Sequence, residues 1–242
     1  MEERVIHTIL LAVTISFLGM IIGTIIGVMM KKPSNRLLSN TLCFGSGFMV
    51  ILVFTDLIPE ALEWNVMGTL TISLVSIFIL FLLDYYFSGN TNNHKKVAIF
   101  IAAGIMLHNF PEGLIMGIGF MANDALGIKM AVMIGLHEVP EAMTLTAPMM
   151  AAKMKKRNII LSSLATFIPS VVGIFIGVIF SSISKEFMGS ALALASGVMA
   201  YVVFLEMLPE ASKLYKGKDS YIYLILGAVL ASIVVILLQS GV

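Results

Sequence analysis

Long apolar runs separated by short polar connections dominate the chain. Eight of these runs are long enough to cross a bilayer, because a span needs roughly 20 apolar residues at about 1.5 Å of helix rise each. They cover about 7–30, 37–62, 68–88, 97–121, 127–151, 158–182, 188–212 and 220–240. The runs do not alternate between apolar and polar residues, as the strands of a membrane barrel would. The pattern predicts an all-α integral membrane protein with eight transmembrane helices.

Composition supports this class and limits the alternatives. The chain is 59% hydrophobic and 12% charged, whereas a soluble domain is about 25% charged. No hydrophilic domain or linker separates the runs, so we expect one domain over residues 1–242. A net charge of +1 gives no reason to expect a nucleic-acid partner. The single cysteine, Cys43, excludes an internal disulfide and a cysteine-based metal cluster.

The positions of Lys and Arg predict the orientation. Twelve of the 15 fall in alternating connections on one side of the membrane, and the opposite side holds only Arg4, Lys129 and Lys185. The positive-inside rule assigns the twelve to the cytoplasm. Both termini are therefore expected on the extracytoplasmic side, as an even number of spans requires.

Two polar motifs interrupt the centres of the fourth and fifth spans. They read "HNFPEG" and "HEVPE". His108 lies four residues before Glu112, and His137 lies four before Glu141, so each pair shares a helix face. The connection between these spans is short, so the two helices are expected to be antiparallel neighbours. Imidazole and carboxylate groups from both would then point into one small volume.

Each motif also contains a second polar residue and a proline. Asn109 and Glu138 directly follow the histidines and stand three residues before the glutamates. Pro111 and Pro140 each leave the carbonyl four residues earlier without its helical partner. Such a carbonyl must face protein or water in a membrane. We therefore predict that the fourth and fifth spans form a central pair kinked at proline.

The buried acids need a neutralising partner, and no Lys or Arg lies in the core of any span. A divalent cation would balance the carboxylates and would also explain the histidines, since imidazole and carboxylate ligands suit Zn, Fe, Mn, Co or Ni. The alternative is that these residues only hold helices together by hydrogen bonds. Two copies of the pattern favour the functional interpretation. The predicted metal ligands are His108, Asn109, Glu112, His137, Glu138 and Glu141.

A second pair of motifs, "FTDLIPEAL" and "FLEMLPEAS", closes the second and seventh spans. Asp56 and Glu60 in the first correspond to Glu206 and Glu210 in the second. The predicted topology puts the two motifs at opposite membrane faces, which is typical of the inverted repeats of transporters. The four acids are predicted to line a cation pathway, with the second pair near His94. They could equally be ordinary helix-end carboxylates.

Methionine is frequent, with 18 residues. A flexible apolar side chain explains most of them as packing or lipid-facing groups. Met49, within "GSGFMV" on the second span, is the one we assign to the possible pathway.

With these motifs the sequence resembles the ZIP (Zrt-/Irt-like protein) family of divalent-metal transporters, and most of all its prokaryotic GufA-like subgroup. "HNFPEG" and "HEVPE" carry the resemblance, and the architecture matches over the whole chain. It implies a single transmembrane transporter domain in the cell membrane that imports zinc, and also iron, manganese, cobalt or cadmium, into the cytoplasm. It further implies an inverted repeat of spans 1–3 and 6–8, a homodimer, and neither enzymatic activity nor a resident cofactor.

The resemblance also implies a two-metal centre. In the family's pattern His108, Glu112, His137 and Glu141 match the first site. Asn109 and Glu138, with the two shared glutamates, match the second.

The sixth span departs from that pattern. Many prokaryotic relatives carry a glutamate there in a Glu-Pro pair, whereas this chain reads "ATFIPSVVG", with Ile168 before Pro169 and Ser170 after it. The departure leaves the second metal weaker or absent.

Two other functions compete with metal transport. "HEVPE" begins like the His-Glu-x-x-His helix of zinc proteases, which suggests an intramembrane zinc metalloprotease. However, its fifth position is Glu141, and Pro140 interrupts it. A proton-driven carrier of an organic solute would need carboxylates but no paired histidines. The sequence favours a transporter that works by alternating access.

Overall fold

The computed structural model describes residues 2–87, 94–122, 124–180 and 185–240, and these are almost entirely helical. In chain order the α-helices are α1 (Glu2–Met29), α2 (Asn35–Leu52), α3 (Ile58–Trp64), α4 (Val66–Phe87), α5 (His94–Ala122), α6 (Asp124–Ala151), α7 (Lys156–Ile179), α8 (Lys185–Tyr201), α9 (Leu208–Leu214) and α10 (Lys218–Ser240). Two short π-helical segments join α2 to α3 and α8 to α9. The described part of the chain contains no strand.

Seven membrane-length apolar helices lie within the described residues. They run over Ile6–Met29, Asn35–Trp64, Val66–Tyr86, Ile101–Met121, Lys156–Ile179, Gly189–Leu214 and Lys218–Leu237. The remaining predicted span is α6, which has 28 residues. It is long enough to cross but less apolar, because its centre carries the "HEVPE" motif. The prediction of an all-helical membrane protein is confirmed.

The central helices α5 and α6 run without interruption through Pro111 and Pro140. Neither helix is broken at its motif. The kink at each proline stays a prediction.

The irregular backbone lies in the second and seventh spans, at Val53–Leu57 and Val202–Met207. The residue after each segment donates its N–H to the carbonyl five residues back, which is the π-helical pattern. Each segment is followed by a proline, Pro59 or Pro209. Because proline has no N–H and its ring crowds the carbonyl four residues back, a turn widened by one residue accommodates it. The repeated Pro-Glu-Ala motifs thus produce the same local structure twice.

The helices pack as two groups. Helices α1, α5, α6 and α7 form one group, the site bundle, in which α5 packs on α6 and α7 and α1 packs on α6. The other group, the flanking bundle, pairs α2 with α10 and α4 with α8. Contacts of α5 with α8 and of α6 with α2 join the two. Exchanging spans 1–3 with 6–8, and the fourth with the fifth, leaves this pattern of pairs unchanged.

Glycines bring the backbones of the site bundle into direct contact. A Cβ on Gly19 of α1 would overlap the carbonyl oxygen of Gly135 in α6. A Cβ on Gly173 of α7 would likewise overlap the carbonyl oxygen of Phe110 in α5. Small residues permit such an approach in membranes, where packing drives helix association. The polar centres of α5 and α6 are thereby enclosed on their outer sides.

Candidate metal centre

All six predicted ligands lie inside the site bundle and are shielded from the surface. None of them is more than 4% exposed, and they are His108, Asn109, Glu112, His137, Glu138 and Glu141. Burial of so many ionisable groups is unfavourable unless each has a partner. Their arrangement therefore shows how the chain accommodates them.

Four of these residues make a reciprocal set across α5 and α6. The Nε2 atom of His108 lies 3.1 Å from Oε2 of Glu141, and Nε2 of His137 lies 3.1 Å from Oε2 of Glu112. Nε2 of His137 also lies 3.8 Å from Oε2 of Glu141. Each imidazole thus reaches the carboxylate of the other helix. We call these four residues the His–Glu quartet.

The other two predicted ligands contact the outer helices of the bundle. The side-chain amide of Asn109 donates to the backbone carbonyl of Thr166 in α7, at 2.9 Å. The Ser16 hydroxyl of α1 donates to Oε1 of Glu138, at 3.2 Å. The structure therefore joins four predicted ligands directly and places Asn109 and Glu138 on either side of them.

Several polar atoms of the centre are buried without a hydrogen-bond partner. Within the described part of the chain these include Nδ1 of His108, Oδ1 of Asn109 and Oε1 of Glu141. Such atoms are rare in native proteins and mark sites where another polar group or ion belongs. Among the described residues, no group of three or more His, Cys, Asp or Glu side chains is already arranged to hold a metal ion. The metal ligands thus stay a prediction.

A cavity leads from the edge of the flanking bundle to the quartet. It is lined by Leu52, Asp56, Leu57, Glu60, Glu112, Ile115, Met130, Met133, Ile134, His137 and Leu192. Its volume is about 30 Å³, which is room for about two water molecules. Two of the predicted pathway acids therefore share one cavity with Glu112 and His137. A cation with a complete hydration shell would not fit.

The other predicted pathway residues lie elsewhere. Met49 is 1% exposed, packs in the largest hydrophobic cluster and is not one of the residues that line the cavity. Glu206 lies on the second π-helical segment and Glu210 on α9, both half-buried. The His94 side chain lies outside the described residues.

In the sixth span, α7, Ser170 faces α5. Ile168, which precedes Pro169, is 59% exposed and faces away. Ser170 is buried, its Oγ has no hydrogen-bond partner within the described residues, and its backbone contacts Gly113 of α5.

Sequence reasoning missed Ser16 and Thr166, which hold Glu138 and Asn109. Thr166 acts through its backbone carbonyl, so no side-chain pattern could identify it. Ser16 is a polar residue in an apolar run, a weak signal that only the packing of α1 on α6 makes meaningful.

The chain is similar to known zinc transporters. Residues 88–235 match the model of the family described as "ZIP Zinc transporter". The chain is 28% identical to "Zinc transporter ZupT" from Escherichia coli O7:K1, over 91% of this chain and 93% of that protein. It is 29% identical to the protein of the same name from Enterobacter sp. strain 638, with the same coverage.

Proposed function

Because the chain belongs to the ZIP zinc transporter family, we propose that it imports zinc across the cell membrane through the His–Glu quartet of α5 and α6. The family consists of membrane transporters, so the chain is not an enzyme, and the metalloprotease alternative is not favoured. The observation that carries the proposal is the reciprocal pairing of two buried histidines with two buried glutamates in the middle of the membrane-length helices.

The spacing of the quartet supports zinc as the cargo. Zinc binds imidazole nitrogen and carboxylate oxygen at about 2.0–2.2 Å, so neighbouring ligand atoms of a tetrahedral ion lie about 3.3–3.6 Å apart. The nitrogen–oxygen separations in the quartet are 3.1, 3.1 and 3.8 Å. Small side-chain rotations convert these contacts into metal bonds, with the ion replacing the hydrogen bonds between the pairs.

Charge supports the same assignment. Three glutamates and two histidines share the buried centre, and Ser16 offers Glu138 only a neutral hydroxyl. A divalent cation neutralises two carboxylates and removes the main electrostatic penalty of burying them. Glu138 and Asn109 contribute to a second, weaker metal position beside the first, since α7 supplies Ser170 where many relatives have a glutamate. Iron, manganese, cobalt and cadmium are further cargoes compatible with these ligands.

The route begins at the cavity that holds Asp56 and Glu60. Under the orientation predicted from Lys and Arg, this cavity opens to the extracytoplasmic side. Glu206 and Glu210 receive the ion at the cytoplasmic side, and Met49 of the second span is assigned to the same pathway. These four acids lie on the second and seventh spans, beside the flanking bundle. The quartet lies in the site bundle.

The division into two bundles supports transport by alternating access. The site bundle moves against the flanking bundle, so that the quartet faces first one pair of acids and then the other. The unchanged packing pattern under exchange of spans 1–3 with 6–8 supports an inverted repeat. So does the contact between Phe54 and Phe204, equivalent residues of the two motifs whose ring centroids lie 6.4 Å apart. A single transporter domain of this kind works as a homodimer in the bilayer.

The experiment is zinc uptake into proteoliposomes that contain the purified protein. Glu112→Ala and Glu141→Ala should abolish uptake, whereas Asp124→Ala, which removes an exposed acid at the start of α6, should retain it. Competition with Fe²⁺, Mn²⁺, Co²⁺ and Cd²⁺ then defines the range of cargoes. Full uptake by both glutamate variants would remove the quartet from the pathway.

A further inference from the structure

Two methionines line the cavity that leads to the quartet. Met130 and Met133 of α6 are both partly exposed, and Asp56 and Glu60 line the same cavity. Most of the chain's 18 methionines have a simpler place in packing. These two lie on the proposed route of an entering cation.

Helix spacing places Met133 directly outside the quartet. It lies four residues before His137, so the two side chains share a face of α6, about 6 Å apart along the axis. Both line the same cavity. Met130 is partly occupied by packing, since it rests against the largest hydrophobic cluster and its Sδ lies beside Gly119 of α5. Met133 is therefore the thioether best placed to meet an ion that approaches the His137 imidazole.

Sulfur changes the chemistry of this cavity. The other polar groups of the lining are the carboxylates of Asp56, Glu60 and Glu112 and the imidazole of His137. Carboxylates suit hard ions such as Mn²⁺, imidazole suits zinc, and a thioether suits soft ions. The carboxylates alone are sufficient to attract cations, so the thioether adds a preference among cations.

We propose that the Met133 thioether is a ligand for soft divalent cations, of which Cd²⁺ is the model, and that it sets the preference of the chain for Cd²⁺ over hard ions at entry. This inference rests on the proposed transport function and refines its selectivity. Met133 binds the ion transiently, one helical turn before the quartet, and then releases it to His137 and Glu112.

The test compares Met133→Leu with Met116→Leu. Leucine keeps nearly the same volume and removes only the sulfur. Met116 lies in α5 of the same bundle, is fully buried in a hydrophobic cluster and does not line the cavity, so it is a matched control. The measurement is inhibition of zinc uptake into proteoliposomes by Cd²⁺ and, separately, by Mn²⁺.

For Met133→Leu the Cd²⁺ concentration that halves zinc uptake should rise about tenfold, as loss of one ligand contact worth ~1.4 kcal/mol implies. Inhibition by Mn²⁺ should not change, and Met116→Leu should behave like the original chain. An unchanged Cd²⁺ inhibition with intact zinc uptake would overturn the assignment and leave Met133 as packing. That result differs from failure of the proposed function, in which Glu112→Ala retains uptake.

A binding measurement covers the case in which Met133→Leu does not fold. Cadmium X-ray absorption is recorded on a Cys43→Ser/Met130→Leu/Glu141→Ala variant, in which Met133 is the one sulfur left in the described cavity lining and the ion is not passed on to an intact quartet. Sulfur scattering around bound Cd²⁺ supports the proposal. A shell of nitrogen and oxygen alone contradicts it.

Discussion

The two central helices present the same chemistry in unequal versions. In both α5 and α6 a histidine precedes a glutamate by one turn, and each histidine contacts the glutamate of the other helix. Beside that shared core, α5 has the neutral amide of Asn109, held by a carbonyl of α7, and α6 has the carboxylate of Glu138, held by a hydroxyl of α1. The histidines and glutamates of the two helices are thus arranged nearly symmetrically, whereas the charge beside them differs between the helices. We infer that the matched histidines and glutamates bind the first metal. The difference between Asn109 and Glu138 then determines whether a second metal binds.

The largest effect is expected where each half of the site bundle meets its outer helix. Gly19→Leu should separate α1 from α6, and Gly173→Leu should separate α7 from α5, because backbone fills the space that either side chain would need. Both variants should lose folded protein, measured as the monodisperse fraction after detergent extraction. Gly68→Leu, at the start of α4 where the nearest atoms belong to the Asn65 side chain and not to backbone, is the control. Normal yield from one of the two would show that the halves are not equally dependent on close packing.

Removal of either imidazole tests the symmetry of the core. His108→Ala and His137→Ala should each lower zinc uptake by roughly 100-fold or more, because loss of a group that only orients a metal ligand already costs about 10–100-fold. The two losses should be similar because each histidine has an equivalent contact. Uptake into proteoliposomes measures both. A loss confined to one variant would mean that a single helix carries the site.

The asymmetry is tested at Glu138 and Asn109. Glu138→Gln keeps the shape and the contact with Ser16 but removes the charge, and should lower zinc uptake about tenfold. Asn109→Ala removes an uncharged group and should lower uptake by only about threefold, as expected for one membrane hydrogen bond. Equal losses would argue that charge is not what distinguishes the halves. Zinc retained per protein, measured on the same samples, reports whether the second position is filled.

The smallest effect is expected at Ser16. Ser16→Ala removes one hydroxyl hydrogen bond to the Glu138 carboxylate. Side-chain hydrogen bonds in membranes average ~0.6 kcal/mol, which corresponds to about threefold in zinc affinity. Ser196→Ala is the control, since that buried hydroxyl of α8 donates to the carbonyl of Leu192 in its own helix. Zinc titration of the purified variants measures the difference. A tenfold or greater loss at Ser16 would instead make it a direct participant in the site.

The sequence predicted most of the helical architecture because span length and apolarity are local properties. It also selected the six buried polar residues, since spacing by three or four residues determines which side chains share a helix face. The sequence did not predict which side chains of distant helices contact each other. The Ser16–Glu138 contact depends on how α1 lies on α6, which no local pattern encodes. The π-helical segments before Pro59 and Pro209 were also missed, although the prolines themselves were visible.

The methionines illustrate the same limit. Met49 lies in a glycine-rich stretch and was predicted to belong to the pathway. Its side chain is buried in the largest hydrophobic cluster, and its place on the pathway stays a prediction. Met130 and Met133 look ordinary in an apolar run, yet they line the cavity. Exposure to a cavity depends on the gap between two bundles. Composition and spacing within one helix do not determine that gap.

Zinc X-ray absorption on the purified, zinc-loaded protein tests the quartet most directly. We expect two imidazoles and carboxylate oxygens at about 2.0–2.2 Å from the metal, with the imidazole signal lost in the His108→Ala/His137→Ala double variant. Bound zinc without imidazole, or a spectrum that the double variant does not change, would contradict the account.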